Sequence, residues 1–212
     1  MKLADLTIRE FIREVDSPSP APGGGSVSAL ASALGTGLLR MVGHLTIPKK
    51  KFAKLNEEVQ STFIRNHEKL KILENRLVEL IDKDTEAFNE IMEAFKMPKE
   101  TEEDQVKRKK SIESATLKAI EIPENIADVA LEALNMVDFV ADYGNKNALS
   151  DVGVSALMLY AGLEGACLNM KINLSGLSDE TSQKYYHAKI TSLIKQAESL
   201  KSSVLQKIHD AL

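Results

Sequence analysis

At 212 residues the chain is long enough to bury one substantial core. A net charge of −4 and 5% aromatic residues supply neither the basic surface nor the stacking platform that nucleic-acid binding requires, so a small-molecule partner is expected. The single cysteine, Cys167, excludes an internal disulfide framework and a multi-cysteine metal site.

No charged-then-apolar leader with a cleavage site opens the chain and no linker composition divides it, so one cytoplasmic domain over 1–212 is expected. Thr7 and Glu10 have capping-box spacing, which predicts a short helix burying Phe11, Ile12 and Val15. Pro18, Pro20 and Pro22 then hold an extended approach to Gly23, Gly24 and Gly25. Ser26 is placed as the N-cap of the next helix, whose free N–H groups suit a carboxylate, a phosphate or an electron-rich ring. Ala29, Ala33 and Gly37 lie four apart on that helix, with Ser28, Ser32 and Gly35 nearby, a face that lets another helix or a second subunit come close. Arg40, His44 and many Ser, Thr and Gly make Ser26 to Ile47 too polar for a hydrocarbon-facing span, and Pro48 ends the segment. Lys49, Lys50 and Lys51 read as a solvated run.

Apolar positions from Leu55 and Val59 through Leu70, Leu73, Leu77 and Leu80 to Phe88, Ile91 and Phe95 predict one long amphipathic helix over Phe52 to Phe95. Asp84 takes an apolar place on that stripe, so it is either paired or facing a cleft, while Asp82 falls toward the opposite face. Pro98 ends the helix, Lys99 to Lys110 is a solvated loop and helix start, and Leu117 to Val140 continue a helical stripe with Pro123 as a kink or new start. Gly144 is placed as a C-cap. Asn145, Asn147, Ser150 and Asp151 then repeat the glycine-plus-short-polar pattern before a second small-residue helix, Val152 to Met170. Ordinary helix capping by these residues stays open beside a ligand role, and the helix itself carries a second acid, Glu164. Ser178 is set to cap a final helix with apolar steps from Tyr186 to Ala211. No alternating strand pattern occurs, so the fold class is all-α, a bundle of long antiparallel helices whose Gly-rich and Asn/Ser-rich loops form the site.

No phosphate-binding loop, dinucleotide fingerprint, HExxH or GxSxG is present. His67, His187 and His209 sit among polar neighbours and read as surface residues, His44 is left open, and no metal is expected. The stretch PAPGGGSVSALASALGTGLLRMV, with DKDTEAF at Asp82 to Phe88, GNKNALSDVGVSAL at Gly144 to Leu157 and LNMKINL at Leu168 to Leu174, resembles the formiminotetrahydrofolate cyclodeaminase and methenyltetrahydrofolate cyclohydrolase family. The resemblance implies an all-helical homodimer joined through small-residue helices, with no membrane role, that acts on a tetrahydrofolate derivative without a further cofactor. The activity it implies is cyclodeaminase first and cyclohydrolase second, with a non-catalytic scaffold as the rival. Its D-x-x-A-F element matches Asp84, Ala87 and Phe88, which favours a cleft for Asp84. On this basis Asp84 and Asp151 are the catalytic candidates, and Gly23, Gly24, Gly25 and Ser26 line one wall of the folate site. Asn145, Asn147, Ser150 and Asp151 form the opposing wall, and Lys49 to Lys51 become an alternative landing site for a polyglutamate tail.

Overall fold

Thr7 accepts a hydrogen bond from the Glu10 N–H, and the Glu10 carboxylate accepts from the Thr7 N–H, so the expected capping box starts α1 (Ile8–Val15). The computed structural model, which describes residues 2–212, continues with α2 (Gly24–Thr46), α3 (Glu57–Lys96), α4 (Glu102–Tyr143), α5 (Leu149–Leu174) and α6 (Glu180–Ala211). No strand occurs among the described residues, and the long helices form the expected all-α bundle. α1 buries only Phe11; Ile12 and Val15 are exposed, because an eight-residue helix at the rim turns a single face inward.

Two boundaries differ from the periodicity. The stretch from Phe52 begins as a 3-10 turn, Phe52–Lys54, and α3 starts only after Asn56, whose side chain accepts from the Glu58 N–H. At α6 the cap is Asp179, with its carboxylate on the N–H groups of Thr181 and Ser182, rather than Ser178. Elsewhere the punctuation holds. α2 stops just before Pro48, α3 before Pro98, and Gly144 caps α4 in an extended conformation. Pro123 sits inside α4, which runs through it.

α2 and α5 form the centre, antiparallel and in very close contact. A Cβ on Gly162 would stand 2.0 Å from Ser32 Oγ and 2.6 Å from the Ser28 carbonyl oxygen, and one on Gly35 would stand 3.0 Å from the Ser155 carbonyl oxygen. The close face on α2 is therefore Ser28, Ser32 and Gly35, and its partner is α5 of the same chain. On the expected Ala29, Ala33, Gly37 row, Gly37 has only Glu74 of α3 nearby, at 3.8 Å. Around this pair Leu39, Leu77, Ile120, Ile126, Leu134, Leu159, Leu163, Met170 and Ile190 are fully buried in one continuous core. α2 and α5 are each long and apolar enough to span a membrane, but about half of each apolar window is buried within the fold.

His67 is not on the surface as its polar neighbours suggested. Its side chain is buried against Gly43, where a Cβ would lie 2.3 Å from Nδ1, with its ring centroid 4.5 Å from that of His44. Burial, then the nearby His44 and Arg40, lower its pKa from the usual 6.5. A folded-state pKa below the unfolded one means the unfolded chain binds more protons, so stability falls as pH drops below about 6.5. Melting temperatures between pH 7.5 and 5.5 should decline in the unmodified chain and decline less in His67→Gln.

Candidate functional site

Three glycines without positive φ begin the site, so their role is space rather than turn geometry. Gly23 is the N-cap residue of α2 and offers no capping side chain. The free N–H end of α2 is instead met by Asp84 of α3: a Cβ on Gly25 would lie 2.0 Å from Asp84 Oδ1, and one on Gly24 would lie 3.0 Å from Asn169 Nδ2. The helix terminus that suits an anion holds the protein's own carboxyl group.

Ser26 is the third residue of α2 rather than its cap. Its Oγ lies 2.8 Å from the Ile81 carbonyl oxygen, 3.0 Å from Asp84 Oδ2 and 3.1 Å from Thr85 Oγ1. The one hydroxyl proton serves the carboxylate when Asp84 is ionised. When Asp84 is protonated its own O–H can donate to Ser26, which then donates to Ile81, so the cluster accommodates both charge states. Burial raises the Asp84 pKa above the usual carboxylate value, against the lowering effect of hydrogen bonds from the Ser26 side chain and backbone. Asp82, two residues before Asp84 on α3, accepts instead from the Leu3 N–H at 2.6 Å.

Asp84 opens into a cavity of about 320 Å³ lined by Gly23, Gly24, Gly25, Phe88, Asn169 and Asn173, among others. Phe88 follows Asp84 by one turn of α3 and supplies an apolar wall. Asn169 and Asn173 project from one face of α5 at i, i+4. Asn169 donates to the Gly165 carbonyl oxygen at 2.8 Å and Asn173 to the Ala119 carbonyl oxygen at 2.8 Å. Pro123, four residues after Ala119, has no N–H, so that carbonyl lacks its helical partner and the Asn173 amide takes the place. Asn173→Leu should strand a buried carbonyl and cost ~1–3 kcal/mol, lowering the melting temperature by about 2–4 °C per kcal/mol. Adding Pro123→Ala restores a backbone donor and should recover most of that loss without recovering activity.

The second predicted wall lies elsewhere in the chain. Asn145 and Asn147 border a separate cavity of about 300 Å³ with Lys49, Lys51, Phe52 and Tyr143, at the far end of α2. Asn145 is engaged there in joining loops, donating from its N–H to Thr46 Oγ1 and accepting from the Asn147 N–H. Ser150 is exposed and Asp151 half-buried in the first turn of α5, eighteen residues or ~27 Å along the helix from the Asn169 that borders Gly24. Within one chain, then, Asp84 and Asp151 do not share a cavity, and Glu164 is outside it too. Alternation of four successive helices makes α5 run opposite to α2, which puts the start of α5 beside the end of α2. That parity is in the sequence, as is the spacing of Asn169 and Asn173, which line the Asp84 cavity within the chain.

The arrangement is a pocket on a helical scaffold, with the Asp84 carboxyl among apolar and amide side chains. No group of three or more His, Cys, Asp or Glu suited to a metal ion occurs among the described residues. Residues 7–208 match the family model described as formiminotransferase-cyclodeaminase, and the chain belongs to this family of folate one-carbon enzymes. It is 33% identical to a methenyltetrahydrofolate cyclohydrolase of Methylorubrum extorquens, covering 95% of each chain. It is 34% identical to the formimidoyltransferase-cyclodeaminase of Mus musculus over 96% of its own length and 37% of that protein's. The crystal structure of the formiminotetrahydrofolate cyclodeaminase of Thermotoga maritima superposes with a TM-score of 0.79 at 26% identity, covering 100% of this chain and 98% of that one.

Proposed function

We propose that the chain is a formiminotetrahydrofolate cyclodeaminase, and the observation that carries this reading is the single Asp84 carboxyl, its pKa raised by burial, beside an open cavity. N10 of formiminotetrahydrofolate attacks the formimino carbon on N5 and must lose a proton. The departing nitrogen must gain one before it leaves as ammonia and the cationic methenyl compound forms. With the formimino nitrogen already protonated as an amidinium, a carboxylate that takes the N10 proton and returns it to the leaving nitrogen balances the step, releasing ammonia and the methenyl cation with no cofactor beyond the substrate. Its negative charge also favours the cation that results. The amide oxygens of Asn169 and Asn173 suit the N–H edge of a pterin, and Phe88 suits its ring face.

A second reading, methenyltetrahydrofolate cyclohydrolase, is supported by the Methylorubrum relative that matches this chain end to end. Water would attack the same carbon, Asp84 would take one of its protons and pass it to N5 as the C–N5 bond breaks, and the second proton would go to solvent as the formyl C=O forms. Purified protein is assayed at the methenyl absorbance band from both substrates. Growth of the band with ammonia release supports the deaminase, and accelerated loss supports the hydrolase. Silence in both, with no folate binding, supports the scaffold and overturns the enzyme reading.

A homodimer fits the same structure, though not through the small residues, which α2 and α5 use on each other. Val27, Leu34 and Met41 of α2 and Val154, Leu157 and Leu168 of α5 form exposed apolar rows on neighbouring helices. A face ~34 Å long and ~20 Å wide offers on the order of 700 Å² per copy, near the ~800 Å² per partner of stable interfaces. A twofold axis across this face brings the Asp151 end of one copy toward the Asp84 end of the other, the arrangement in which Asp151 could join the reaction. Solution mass of the unmodified chain and of Leu34→Glu tests the interface, a monomer for both removing it.

A further inference from the structure

Pro123 stands well inside the 42-residue α4, where proline is ordinarily excluded. It brings no N–H, and its ring crowds the carbonyl of the residue four before it, Ala119. That carbonyl is left open to α5, and the Asn173 Nδ2 group donates to it at 2.8 Å from 54 residues away in the chain. Ala119 and Asn173 both border the Asp84 cavity, whereas Pro123 is buried and borders no part of it.

An asparagine amide without an anchor rotates, and it can show a ligand either its oxygen or its NH2 group. A bond from Nδ2 to a backbone carbonyl removes that choice, because exchange of the two ends would set oxygen against oxygen. Asn173 therefore keeps Oδ1 as the acceptor it presents to the cavity, and no donor among the described residues engages that oxygen. Asn169, one turn earlier on α5, is held in the same way by the Gly165 carbonyl at 2.8 Å. With the ionised Asp84, the cavity then shows a ligand three acceptors in fixed positions. Such a wall takes an edge rich in N–H groups and rejects an edge of carbonyl oxygens, since an acceptor set against an acceptor leaves both buried and unpaired.

We infer that Pro123 is a specificity-determining residue of the site that acts through Asn173: the N–H it lacks leaves the Ala119 carbonyl to hold the Asn173 oxygen toward the cavity, which selects the N–H edge of a bicyclic heterocycle. For the identity of that heterocycle the inference rests on the folate reading above. A pterin carries an exocyclic amino group and a ring N–H on one side of its pyrimidine ring and an oxo group next to them. A fixed acceptor therefore decides which way round the ring lies beside Asp84. Pro123 touches no substrate and is a positioning residue, whereas Asn173 makes the contact.

The test is a double-mutant cycle in the full chain, with each variant melted and assayed on whichever substrate the unmodified chain turns over. Pro123→Ala gives Ala119 a helical N–H partner and removes proline from a helix interior, so it should melt at or above the temperature of the unmodified chain. Its KM should nevertheless rise about three- to tenfold at similar kcat, the worth of one neutral hydrogen bond. Asn173→Leu should raise KM about tenfold, and adding Pro123→Ala to it should raise KM no further. Effects that multiply in the double variant would mean that Pro123 acts through the shape of α4, and an unaltered KM in Pro123→Ala would mean that it does not act on the site; each overturns the inference and leaves the activity standing. Edge selectivity is read by calorimetry with tetrahydropterin against tetrahydrolumazine, in which an oxo group replaces the exocyclic amino group. The unmodified chain should prefer the pterin about tenfold, and Pro123→Ala should narrow the preference to about two- to threefold. A preference that Pro123→Ala leaves unaltered, or none in the unmodified chain, overturns the inference alone. Absence of both turnover and pteridine binding overturns the folate reading with it.

Discussion

Asp84→Asn should leave the helices intact and reduce kcat by about 10²–10⁴-fold, the usual worth of a positioned proton-transfer group. The amide is the same size and keeps hydrogen bonds to Ser26, but it can neither take a proton from N10 nor return one to a leaving nitrogen. Stability should move the other way. The Asp84 pKa is raised in the folded state, so the folded chain binds this proton more readily than the unfolded chain does. Its stabilising contribution is full below the unfolded carboxylate value and is lost as pH rises through the folded value. Above the folded value the desolvated charge is therefore a burden, and there Asp84→Asn should melt at or above the temperature of the unmodified chain. Its advantage should shrink as the pH is lowered toward 4. Circular dichroism melts at several pH values with a turnover assay check both halves. Retained turnover would remove Asp84 from the mechanism, and a large loss of melting temperature at neutral pH would make it a structural residue.

Gly162→Ala should be the most damaging single methyl group in the chain. The added Cβ would stand 2.0 Å from Ser32 Oγ, 2.6 Å from the Ser28 carbonyl oxygen and 3.0 Å from the Ser32 nitrogen, and two of these atoms are backbone. A serine hydroxyl can rotate away, but the helix axis cannot, so α2 and α5 must separate along their length. Overpacking of this kind costs ~1–3 kcal/mol or more, against a gain of about 1 kcal/mol from replacing a helical glycine. A fall in melting temperature of several degrees is expected. The same displacement shifts Gly24 and Gly25 relative to Asn169 and Asp84, so activity should fall further than stability alone explains. Gly153→Ala is the contrast: its nearest neighbour would be Ile208 Cδ1 at 3.5 Å, an ordinary contact, and it should melt slightly higher.

Asp84 was legible because a carboxylate breaks a stripe of Leu73, Leu77 and Leu80, and burial of an unpaired charge is costly enough to demand a reason. The glycine turn was legible as a close approach, although what approaches is Asp84 and Asn169 rather than a ligand alone. Asn145, Asn147, Ser150 and Asp151 carry the same local signature of glycine, short polar side chains and a helix start, yet they fall at the opposite end of α2. Asn169 and Asn173 have no such signature, since two amides on a small-residue helix are unremarkable until Pro123 frees the Ala119 carbonyl that Asn173 takes. His67 was misplaced for a related reason: its chain neighbours are polar, but its contacts are Gly43 and His44 of another helix.

The sequence by itself determined the helices, their punctuation by Thr7, Pro48, Pro98 and Gly144 and the all-α class, because capping, proline sterics and apolar periodicity act within a few residues. Close packing of the two small-residue helices was legible; only the tertiary structure decided that α5 lies antiparallel on α2, so that Asn169 and Asn173 rather than Asn145 to Asp151 face the glycine turn within the chain. These depend on the register and direction in which helices far apart in sequence pack, which no local preference encodes.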